Sequence, residues 1–110
     1  MPLSRGVSKN PPANTDIAIL EATASYLVAI IASNMSDSKE AKFSVWVEPF
    51  EWQPIVAGTE DQFRAYIIKD GILPPAGSFE SWRFAVNPED DVFVSSNNGK
   101  VAFTIELVAQ

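Results

Sequence analysis

The pattern over residues 63–108 most constrains what this chain can fold into. Short runs rich in β-branched and aromatic side chains alternate there with turn residues. The runs are Phe63-Arg64-Ala65-Tyr66-Ile67-Ile68-Lys69, residues 78–86, Val92-Phe93-Val94-Ser95 and residues 101–108. Between them stand Pro74-Pro75-Ala76-Gly77, Glu89-Asp90-Asp91 and Asn98-Gly99. Strand-length runs punctuated by turn residues at regular spacing mark an all-β sandwich or barrel. In the last run Val101, Phe103, Ile105 and Leu107 fall on one face, and Ala102, Thr104 and Glu106 on the other. That is the two-residue period of a half-buried strand. Asn98-Gly99 reads as a tight hairpin turn joining the last two strands, because both residues tolerate positive φ.

The first half reads the same way. Residues 17–20 form a short strand, Glu21-Ala22-Thr23 turns the chain, and residues 25–33 form a second strand that is apolar on both faces. Such a run suits a central strand covered from two sides. A buried helix over residues 18–32 competes, since periodicity does not separate the two; the Ile, Val, Thr and Tyr content favours the strand. Residues 42–48 alternate, with Phe43, Val45 and Val47 directed inward and Ser44, Trp46 and Glu48 outward. Pro49 and Pro54 then bracket a segment with Phe50, Trp52 and Ile55. A proline at each end keeps it out of a central strand. Its aromatics are either a contact surface or a lid folded back on the core. Over residues 79–86, Trp82, Phe84 and Val86 share a face, which assigns Trp82 to the core. Trp52 is assigned to an interface, and Trp46 fits either.

A chain of 110 residues makes one domain. The reading is an extended N-terminal arm, residues 1–14, followed by a single antiparallel β-sandwich, residues 15–110. The sandwich has about seven to eight strands. Pro2, Gly6, Pro11, Pro12 and Asn14 oppose regular structure in the arm. The arm is then either a free terminus or a segment that orders against a neighbouring subunit. Residues 1–14 carry Arg5 and Lys9 and no acid, hence +2; the rest carries six bases and fourteen acids, hence −8. No apolar run follows Met1-Pro2-Leu3-Ser4-Arg5, so no secretory leader is expected. Residues 17–32 are interrupted by Glu21, Thr23 and Ser25, so no membrane span is expected.

The chemistry is sparse. The chain has no histidine and no cysteine, which removes the usual base for a serine nucleophile, thiolates and zinc–thiolate sites. Glu60-Asp61 and Glu89-Asp90-Asp91 are the dense acid clusters. Adjacent carboxylates in a turn do not supply the two contrasting environments of acid–base catalysis, and neither cluster has the spacing of a calcium loop. The five glycines are scattered, with no phosphate-binding loop. A net charge of −6 with dispersed bases argues against nucleic acid. Arg64, Arg83 and Lys69 read as strand-face charges paired with Glu80 or Glu106. No enzyme, metal or cofactor is expected. Three Trp, two Tyr and seven Phe are generous for one small sandwich, and Trp and Tyr are enriched at interfaces.

The order of segments carries a resemblance. A strand ending in Lys69, the Pro75-Ala76-Gly77 turn, another strand, an acidic turn opening Val92-Phe93-Val94-Ser95, the Asn98-Gly99 turn and a final strand containing Phe103-Thr104 follow one another. Upstream, residues 17–20, an apolar strand over 26–32, Asn34-Met35-Ser36 and Phe43-Ser44-Val45-Trp46-Val47 complete the pattern. Over residues 15–108 the chain resembles a widespread group of small virion proteins of tailed bacteriophages. The longer, more aromatic residues 48–62 depart from that group. The resemblance implies a compact Ig-like or jelly-roll-like sandwich that serves as a non-enzymatic building block of the particle. It also implies a symmetric homo-oligomer, with a trimer preferred, bound to the major capsid protein or other virion proteins. Head decoration is the leading role, ahead of neck or tail, with localisation in the virion. The candidate contact residues are Arg5, Lys9, Pro11 and Pro12 of the arm and Phe50, Trp52 and Ile55 of the loop. The alternative is a carbohydrate- or receptor-binding module of a tail fibre or spike, with Trp46 or Trp52 stacked on a sugar ring.

Overall fold

The computed structural model of the chain describes residues 5–50 and 64–110. Its strands are β1 (Arg5–Lys9), β2 (Ile17–Glu21), β3 (Tyr26–Asn34), β4 (Ala41–Glu48), β5 (Ala65–Leu73), β6 (Ser78–Glu80), β7 (Phe84–Val86), β8 (Asp91–Ser96) and β9 (Val101–Ala109). Residues 18–32 are therefore two strands and a turn rather than a helix. The turn is pinned from outside: Ala22 N–H donates to Asp90 O at 2.9 Å and Glu89 N–H to Ala22 O at 2.7 Å.

Two antiparallel sheets result. One has the order β1-β9-β3, with β6 and β7 both on the far edge of β3; the other has the order β2-β8-β4-β5. β6 pairs with residues 31–33 of β3 and β7 with residues 26–28, so the two act as one interrupted strand. That leaves eight strands among the described residues, four per sheet. Every connection crosses from one sheet to the other except β4 to β5. This nesting is a jelly roll, and it removes the Ig-like alternative, in which more neighbours in sequence stay in one sheet.

Two sequence expectations change here. Residues 5–9 were assigned to an arm outside the sandwich, but they form β1, in continuous register with β9 from Arg5↔Leu107 to Lys9↔Phe103. Asn98-Gly99 is also not a hairpin turn, because β8 and β9 lie in different sheets. Asn98 is not among the residues with positive φ. The turn is instead held by side chains: Ser96 Oγ donates to Asn98 O at 2.6 Å, and Asn98 Oδ1 accepts from Lys100 N–H at 2.8 Å.

The core lies between the sheets. Val28, Ile30, Phe103 and Ile105 from the first layer meet Phe43, Val45, Val92 and Val94 from the second, each at 2 % exposure or less. Phe43 crosses the interface, with ring centroids 5.3 Å from Phe79 and 6.3 Å from Phe103. β5 runs on past Lys69, where the strand was expected to end, through Asp70-Gly71, because Asp70 takes up the left-handed conformation at φ 53° inside an irregular stretch of the ladder with β4. Such a bulge inserts extra residues without ending the strand.

Candidate interaction surface

The exposed large apolar side chains among the described residues are Met35, Phe50, Ile72 and Trp82. Trp82 was expected in the core and is 62 % exposed. The cause is local. Ser81 takes both backbone groups of Ile30: its Oγ accepts from Ile30 N–H at 2.9 Å and its own N–H donates to Ile30 O at 2.9 Å. Ser81 Oγ also donates to Trp82 O at 2.9 Å. A side chain has replaced a ladder partner, so β6 stops and β7 restarts after the break. Phe79 and Phe84 both pack on the core although they are five residues apart. An unbroken strand would send them to opposite faces.

Phe50 is 54 % exposed and is fastened at its backbone. Its N–H donates to Asp90 Oδ1 at 3.0 Å, while Asp90 Oδ2 accepts from Asn87 N–H at 2.9 Å. Asp90 is itself buried. Residues 81–90 thus position both exposed aromatics: Trp82 at the strand break and Phe50 on the turn after β7.

Beside that turn, Asp91 stands opposite Glu21 on β2 and Glu48 on β4. Burial first, and then Glu21, Glu48 and Asp90, hold the Asp91 carboxyl above its ordinary value. No group of three or more acidic side chains among the described residues is arranged to hold a metal ion.

On the outer face of the second sheet, Trp46 is covered. Trp46 is 1 % exposed, although its position in the alternation points away from the core. Its ring stacks on Phe93 at 5.7 Å and tilts against Tyr66 at 5.7 Å. The Arg64 guanidinium lies 4.6 Å from its centroid, and its Nε1 donates to Glu48 Oε2 at 2.9 Å. Arg64 also approaches Asp16 and Glu48, each at 3.6 Å. Arg64 thus pairs with Asp16 and Glu48 rather than with the expected Glu80 or Glu106. Lys69 stands over the Tyr66 ring instead, at 5.1 Å. Trp46 is unavailable to a sugar.

The remaining expected contact residues separate. Lys9 is exposed, and its Nζ donates to Ala18 O at 3.4 Å. Pro12 is exposed, whereas Pro11 is fully buried and cannot meet a partner on the outside of its own fold. Arg5 lies in β1. Trp52 and Ile55, with Glu60 and Asp61, fall outside the described residues. A polar hollow of about 290 Å³ lies among Asn14, Asp16, Lys42, Ser44, Asp70 and Ser95, with charges of both signs. The chain matches no family model, and no curated protein or solved structure is significantly similar to it.

Proposed function

We propose that this chain works by binding, not by chemistry, as a structural protein of a tailed-bacteriophage virion. In this reading it is a homo-oligomer, a trimer in the preferred form, seated on the capsid as a decoration protein. The observation that carries the reading is Trp82. A strand break sustained by Ser81 holds a large aromatic side chain out in solvent, where it contributes little to the fold. Tryptophan buried at the centre of an interface is a common energetic anchor. A jelly roll is one of the two sandwich types that the resemblance to small virion proteins implies, and Phe50 adds a second anchor beside the same stretch.

The test is the mass of the purified chain in solution, followed by co-sedimentation with purified heads that lack it. A defined oligomer that binds heads supports the proposal. A monomer that binds neither heads nor any other particle component removes it.

A further inference from the structure

We infer that β1 is an exchangeable strand, so that residues 5–11 of one copy lie along β9 of a second copy in the assembled protein. The inference rests on the homo-oligomer proposed above and goes further by naming the joint. β1 is an edge strand that, among the described residues, pairs with β9 alone. The residues after it complete a linear ligand. With its amide oriented so that the nitrogen faces the two carbonyls, Asn10 donates to Gly99 O at 2.9 Å and Val101 O at 2.8 Å, and Pro11 is buried as a plug. Beyond that plug, Pro12 and Ala13 are exposed, and Asn14 turns the chain at φ 57° while its N–H donates to Ser96 O at 2.6 Å. The segment therefore divides into a docked unit, residues 5–11, and an exposed hinge at Pro12-Ala13.

The docked unit makes the same hydrogen bonds and buries the same plug whether its β9 belongs to its own copy or to another. Exchange of an identical element is a low-cost route to oligomers, and short hinges under strain favour it. The +2 on residues 1–14 against −8 on the remainder draws the segment of one copy toward the body of another. A hinge of two or three residues reaches no more than about 10 Å. The exchanging copies must therefore stand side by side, either as a reciprocal pair or closed into a ring.

Because the chain has no cysteine, paired cysteines report the joint without interference. Ser8 faces Thr104 and Gly6 faces Glu106 across the ladder. Opposed residues of an antiparallel pair lie about 4.5–5.5 Å apart at Cα, within disulfide reach. The variants Ser8→Cys/Thr104→Cys and Gly6→Cys/Glu106→Cys, in the full chain, are oxidised with oxidised glutathione and run on non-reducing denaturing gels. Their mass before oxidation is measured in parallel. Exchange predicts covalently joined chains up to the native copy number. An oligomer whose cysteines join only within one chain overturns exchange and leaves the assembly proposal standing. A monomer cross-linked to itself overturns both. If neither pair closes, β1 lies on no β9, and exchange is overturned.

Discussion

The side-chain amide of Asn34 donates to Leu73 O at 3.3 Å, joining the end of β3 to the end of β5 through a buried group. The same nitrogen donates to Lys39 O at 2.7 Å and Pro74 O at 3.2 Å, and Asn34 Oδ1 accepts from Ser36 N–H at 3.0 Å. One residue thus ties the β3–β4 and β5–β6 loops together. Asn34→Ala should lower stability by about 2–4 kcal/mol, since several buried groups lose partners at once. Asn34→Asp should cost at least as much at neutral pH, because a carboxylate would face carbonyl oxygens. It should recover part of that loss in acid. Urea unfolding at two pH values checks both.

Ser81 should behave as a hinge pin for the sheet edge. Ser81→Ala leaves Ile30 N–H without its acceptor, at a cost of about 1–3 kcal/mol. Ser81→Thr keeps the hydroxyl and should cost less. Amide exchange at Ile30 should quicken in the alanine variant. Unchanged exchange would show that the hydroxyl is not what holds the break.

The elements legible in the sequence were those governed by a period of two. β2, β3, β4, β8 and β9 lie where alternation and turn residues put them. The remainder was decided by groups that alternation does not weigh. Asn98-Gly99 carried a hairpin signal, but β9 is flanked by β1 and β3 and β8 by β2 and β4, so the turn is a crossing between layers. Trp82 was misplaced because a serine hydroxyl took over a backbone partner and shifted the register. Trp46 is covered because Phe93 of β8, Tyr66 of β5 and Arg64 just before β5 converge on it, a juxtaposition fixed only by topology. Pro11 looked like linker and is a plug, since burial of a short segment depends on what it meets.

Acid should relieve one local tension. The Asp91 carboxyl is held above its ordinary value by burial and by Glu21, Glu48 and Asp90, so the unfolded chain ionises it more readily than the folded chain. This group therefore costs stability at neutral pH, and the cost fades as pH falls through its folded pKa toward the ordinary carboxylate value. Asp91→Asn should stabilise the protein at pH 7 by less than about 1 kcal/mol, because solvent screens a partly exposed group. The gap between variant and wild type should close in acid. Thermal unfolding from pH 7 down to pH 3 measures it, and a gap that widens in acid would contradict the assignment.

Trp46 and Trp82 should respond to substitution in opposite ways. Trp46 is buried, stacked and hydrogen-bonded, so Trp46→Ala should cost about 3–5 kcal/mol and lower the unfolding temperature before any effect on binding can be read. Trp82 is exposed on the isolated chain, so Trp82→Ser should move stability by no more than about 0.5 kcal/mol. If Trp82 anchors an interface, the same change should weaken association by about 2 kcal/mol or more, roughly a thirtyfold loss. Calorimetric unfolding gives the first quantity; sedimentation with heads, or the concentration dependence of mass, gives the second. A Trp82→Ser protein of wild-type stability that assembles and binds at wild-type strength would leave the strand break at Ser81 without the role assigned to it.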